Sequence, residues 1–149
     1  MERIKNWIAP GKKVQLNLIF KKSRDGDTSE DFHKYCDNIK KTLILIETKE
    51  GRKFGGFTYN YWNNSSSQVW NGNKEDFVFS LDLNKKYNNM HINGCSTLGY
   101  KDNGPIFGYC LGTNEVDICI GKSLNYGISK NSPCFKTNLE LMKILKLKN

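Results

Sequence analysis

Apolar residues in this chain fall into short runs separated by turn signals, and none of the runs is long enough to build a large helix. Val14-Gln15-Leu16-Asn17-Leu18-Ile19-Phe20 alternates with period two, as a half-buried strand does. Thr42 to Thr48 (TLILIET) is a β-rich run. Glu50-Gly51 marks a turn, and Lys53 to Tyr59 (KFGGFTY) reads as the returning strand of a hairpin. Gly55-Gly56 inside that strand points to a bulge or to close backbone approach. Phe77 to Leu81 and Val116 to Ile120 are further strands, and Tyr87 to Ile92 is a less regular one. Leu139 to Leu147 fits a helix through Leu141, Ile144 and Leu145, or a strand beginning Leu139-Glu140-Leu141.

Apart from that ambiguous segment, helix signals are confined to one place. After the polar turn from Lys21 to Asp27, Thr28 or Ser29 can cap a helix, and Glu30 and Asp31 suit its positive end. Phe32, Tyr35, Cys36 and Ile39 then share one face. Asp37-Asn38 and Lys40-Lys41 keep that helix short. Many short strands with one or two brief helices predict a mainly β sandwich carrying helical additions. A chain of 149 residues, 38% of them hydrophobic, builds one domain with its own core. That domain is expected over 14–149, after a short leader at 1–13 that holds Pro10-Gly11.

No apolar run approaches the ~20 residues of a membrane span, and the segment from Met1 to Trp7 lacks the core of a secretory signal. Five cysteines (Cys36, Cys95, Cys110, Cys119, Cys134) occur without a CxxC pair, which suggests free thiols in a reducing compartment, hence the cytoplasm. The formal charge is +8, but it comes from 20 Lys and only 3 Arg. Lysine attracts any polyanion, whereas base readout and bidentate phosphate clamps favour arginine. A sequence-reading nucleic-acid function is therefore poorly supported, and solvated surface lysine is the simpler account.

Chemical constellations are weak. Gly121-Lys122-Ser123 resembles the end of a phosphate loop, but Val116 stands where that loop needs its first glycine. Asp25, Asp27, Glu30 and Asp31 gather charge around Gly26, in the wrong order for a calcium loop. His33 with Cys36, and His91 with Cys95, could make a zinc site only if two segments met, and neither spacing is a zinc signature. No triad can be assembled from two histidines. No catalytic residue, metal or cofactor is therefore assigned.

A set of ordered motifs does carry a family likeness. They are Leu18-Ile19-Phe20, Ser23-Arg24-Asp25-Gly26, Phe32-His33, Cys36-Asp37, Thr42-Leu43, Phe54-Gly55-Gly56-Phe57-Thr58 and Trp62. Asp76-Phe77-Val78-Phe79-Ser80-Leu81 and Asn103-Gly104-Pro105-Ile106-Phe107-Gly108 follow, with Val116 to Ile120 in the next strand's place. In this order they resemble the TLDc domain, in the variety common in protists, over about residues 14 to 147. Lys40-Lys41 stands where that family usually has Gly-Pro, the glycine run after Phe107 is reduced to Gly108 and Gly112, and the C-terminal strand is Lys- and Leu-rich.

The resemblance implies a sandwich of two antiparallel sheets with peripheral helices and no established enzyme activity. It implies a protein-interaction module, since family members are associated with resistance to oxidative stress and several bind the V-type proton ATPase and regulate its assembly. A cytoskeletal or other large assembly, at an organelle or cilium, is the wider form of that expectation. Alternatives are a thiol antioxidant acting through one cysteine, and a basic binder of RNA or acidic tubulin tails. The expected partner surface is Trp62 and Trp70 in the polar loop, together with Lys143, Lys146 and Lys148 at the C-terminal end.

Overall fold

The computed structural model describes residues 1–67, 69–89, 96–108, 117–129 and 137–148. In chain order the elements are α1 (Glu2–Ile8), β1 (Leu16–Lys21), α2 (Lys22–Asp25), α3 (Ser29–Cys36), β2 (Thr42–Thr48) and β3 (Lys53–Thr58). Then come β4 (Val69–Asn71), β5 (Phe77–Ser80), β6 (Lys85–Asn88), β7 (Thr97–Gly99), β8 (Ile106–Phe107), β9 (Ile118–Ile120), β10 (Tyr126–Ser129) and β11 (Thr137–Leu147). The expected mainly β sandwich is what the chain forms.

One antiparallel sheet runs β1-β11-β2-β3-β5-β6 and the other runs β4-β7-β8-β9-β10. They are joined through β11. Its first residues, Thr137 and Asn138, pair with β10, and from Leu139 onward it pairs with β2. A register shift between Leu139 and Leu141 marks the crossing, as expected where a strand turns the corner between sheets. The ambiguous C-terminal segment is thus a strand with neighbours on both sides, and Met142 and Ile144 are fully buried.

Apolar residues cover both faces of the larger sheet. Ile44, Ile46, Met142 and Ile144 face inward, against Phe107, Ile118, Ile120, Leu124 and the α3 residues Phe32 and Cys36. Leu43, Phe57, Phe77 and Phe79 face outward and are covered by Ile4 and Ile8 of α1. This two-sided burial explains the unbroken apolar run in TLILIET, because a strand with only one buried face would alternate. It also corrects the reading of residues 1–13 as a leader outside the domain. Ile4 is fully buried, Ile8 is 8% exposed, and Trp7 packs on Phe79 at 5.9 Å.

Gly55 and Gly56 mark close approach rather than a bulge, since β3 keeps an unbroken register with both neighbours. Successive strand residues face opposite sides, so the pair clears one position on each face. A Cβ on Gly55 would strike the Ile44 carbonyl and the Phe79 ring, and one on Gly56 would lie 2.7–2.9 Å from three atoms of the Phe107 ring. The bulge lies instead in β1, where the register shifts between Leu18 and Phe20. That shift breaks the period-two reading: Leu16 packs with the outer cluster, Phe20 enters the inner core, and Leu18 is left 40% exposed.

Two substitutions test this arrangement. Gly56→Ala is expected to destabilise the protein by about 1–3 kcal/mol through overpacking, measured by urea denaturation, and Phe107→Leu in the same chain should recover part of the loss. Ile4→Ala is expected to cost about 2–4 kcal/mol; a leader lying outside the domain would leave stability unchanged.

Candidate functional site

The polar chemistry of the fold gathers where α3 meets the turns of the smaller sheet. Gly26 enters this region with φ +121° and no room for a Cβ, because the Asp31 carboxylate occupies that place. Asp31 is held there by a capping box: its backbone N–H donates to Thr28 Oγ1, and its carboxylate accepts from the Thr28 N–H and hydroxyl. The Thr28 contacts draw the Asp31 carboxyl below its usual range. Just before, Asp25 accepts from the Lys21 N–H at 2.8 Å and takes a two-pronged contact from Arg24, with Ser23 exposed on the same turn. The segment then docks on the β9–β10 turn, Ser29 N–H donating to the Lys122 carbonyl at 2.8 Å and Leu124 N–H to that of Asp27 at 2.6 Å.

Ser29, Phe32, His33 and Cys36 are the buried residues of α3. This is a correction to the expected face, since the helix stops at Cys36 before reaching Ile39, and Tyr35 is 38% exposed. His33 takes the inward place. It is 5% exposed, with Nδ1 2.7 Å from Asp37 Oδ1 and Nε2 2.9 and 3.0 Å from the carbonyl oxygens of Tyr100 and Asn103. All three partners are acceptors, so only the doubly protonated ring satisfies them. Burial opposes that charge, but Asp37 and the two carbonyls outweigh it, and the His33 pKa lies above its ordinary 6.5.

Asp76 is a second buried polar centre, 1% exposed. Its carboxylate accepts from Thr58 Oγ1 at 2.8 Å, the Tyr59 N–H at 2.8 Å, Asn60 Nδ2 at 2.9 Å, and the Ser96 hydroxyl. Burial pushes its pKa up against the pull of these donors. The group ties the end of β3 to the start of β5 and to the residue preceding β7.

The remaining signature residues are architectural. Trp62 is 1% exposed, donates from Nε1 to Thr42 Oγ1 at 2.9 Å, and meets the rings of Phe32 and Phe107 edge-on. It therefore cannot anchor a partner, which corrects its place in the expected docking surface. Phe54, Phe77 and Phe79 pack in the core clusters. Gly104 N–H and the Pro105 carbonyl pair with Ile120, and Gly108 takes φ +68° beside Asp117. Trp70 lies in β4 opposite Leu98. The C-terminal lysines do not form one patch: Lys143 shares the outward face of β11 with Leu145, Lys146 alternates to the other side, and Lys148 lies beyond the strand.

The thiols divide in the same way. Burial pushes the Cys36 thiol far up and the Cys119 thiol up, while Cys95, Cys110 and Cys134 lie outside the described residues. His91 lies outside them too, and among the described residues no group of three or more His, Cys, Asp and Glu could hold a metal ion. No described helix is long and apolar enough to cross a membrane. Sequence reasoning missed Asp76 and the role of His33, because their partners are distant in the chain; the Thr28/Asp31 cap was the one local signal.

The His33 bonds predict a pH dependence. A raised folded pKa adds stability that is fully present below the unfolded value of about 6.5 and lost as pH rises through the folded value. His33→Gln is expected to cost about 2 kcal/mol at acid pH, and the gap from wild type should narrow as pH rises. Denaturation across pH measures it; a constant or widening gap would contradict the charged ring.

The TLDc domain family model matches residues 1–145 of the chain. No curated protein matches it.

Proposed function

The chain belongs to the TLDc domain family, and we propose that it acts as a non-catalytic protein-interaction module. The observation that best supports this reading is the engagement of His33. With both ring nitrogens bonded to acceptors from its own domain, the ring has no lone pair with which to take a proton from a substrate. Asp76 is committed in the same way, to four donors. Function then rests on the surface that these groups hold in place.

The partner we propose is the V-type proton ATPase, met in the cytoplasm, with resistance to oxidative stress or a place in a larger assembly as the other roles that the likeness implies. This extends to the chain what its family likeness implies. A thiol antioxidant is the competing account. It needs an exposed thiol of lowered pKa, whereas the thiols of Cys36 and Cys119 are shifted upward by burial.

Two measurements separate these accounts. The purified chain is expected to co-sediment with purified V-type proton ATPase at physiological salt. Under native conditions, iodoacetamide followed by intact-mass analysis should leave Cys36 and Cys119 unmodified until the protein is unfolded. A single fast-reacting thiol whose alkylation abolishes peroxide consumption would overturn the non-catalytic reading.

A further inference from the structure

A groove runs along α3 where the helix faces the turns at 101–102 and 122–123. Four chain segments meet there, Asn64 supplying the fourth: α3 is tied to the 122–123 turn by the Ser29–Lys122 backbone bond and the Thr28–Ser123 bridge and to the 100–103 turn through His33, and Lys101 N–H donates to the Ser65 carbonyl. Its floor holds Ser29 and His33, respectively 3% and 5% exposed. The Ser29 hydroxyl lines the groove without a hydrogen-bond partner among the described residues. Lys34, Lys101 and Lys122 stand around it, each from a different segment.

We propose that this groove receives the acidic side chains of an extended segment of a partner protein, a proposal that rests on the interaction-module reading above. Charge complementarity carries it. Lys34 and Lys101 form no ion pair among the described residues, and Lys122 meets Asp102 at 3.3 Å with both side chains well exposed. Such an exposed pair contributes little and exchanges readily with an incoming carboxylate. Glu30 lies on the same rim, in the first turn of α3 where the helix dipole favours it. Against the three lysines, Glu30 and Asp102 leave a positive excess, and the His33 ring beneath is balanced by Asp37.

The unpartnered Ser29 hydroxyl gives a carboxylate oxygen a donor at the floor, and the lysines steer its approach and fix its register. Single-stranded nucleic acid would want open aromatic platforms; among the described residues the only ring lining the groove is that of His33, which is buried. That favours an acidic peptide over RNA.

The test is fluorescence anisotropy of the full chain with a short labelled Glu/Asp-rich peptide, with a uridine-rich RNA of equal charge as the comparison. The double variant Lys34→Glu/Lys101→Glu, both sites exposed, should weaken peptide binding by about tenfold or more. Ser29→Ala should weaken it about threefold, and Lys143→Glu/Lys146→Glu should leave it within about twofold, circular dichroism confirming the fold of each. Equal binding by wild type and the groove variant would overturn the proposal, as would tighter binding of the RNA than of the peptide. Either result with co-sedimentation on the ATPase intact removes the groove and leaves the module reading standing.

Discussion

The two sheets come into close contact where the tip of the Phe107 ring meets the bare backbone of Gly56, and much of the inner core is built around that contact. A side chain there would push the layers apart and open the core behind it, where Trp62, Phe32 and Phe20 close around the same space. Gly55 does the equivalent for the outer face, leaving room for the tip of the Phe79 ring where α1 covers it. Packing to organic-crystal density leaves no slack for a methyl group at either place. The aromatic residues on each side of the pair are the counterpart of its glycines.

The polar residues complete what that packing begins. A sandwich is held by apolar burial, and the connections between its layers must in addition satisfy their own backbone groups. His33 takes up two carbonyls of the 100–103 turn, and Asp76 gathers donors from two segments, residues 58–60 and Ser96. Each is the kind of side chain that would be suspected of catalysis from its type alone. In this fold each is bonded to groups of its own domain that hold separate segments together.

Much of this was legible locally. The runs at 42–48, 53–59 and 77–81 and the Thr28 cap depend on neighbours in sequence, and there the reading and the structure agree, whereas the rings that Gly55 and Gly56 make room for, Phe79 and Phe107, lie far along the chain. What was not legible depends on contacts across the chain. Trp62 reads as a loop tryptophan until Thr42, 20 residues away, supplies its acceptor. His33 reads in sequence only as a neighbour of Cys36 and part of a family motif, and the carbonyls that draw it inward come from 67 and 70 residues further on. Leu139 to Leu147 could not be told from a helix by period, because its buried side is decided by β1 and β2. The helix at Glu2–Ile8 has two inward isoleucines in two turns, too few for a periodic signal.

The account turns on His33 being a structural cation and not a free base. Nitrogen-15 NMR of the imidazole in the intact chain at neutral pH tests that directly. Protons on both Nδ1 and Nε2, exchanging slowly with water, are the predicted result. A neutral ring with one bare nitrogen, exchanging freely at that pH, would contradict the account and return His33 to the list of groups able to do chemistry.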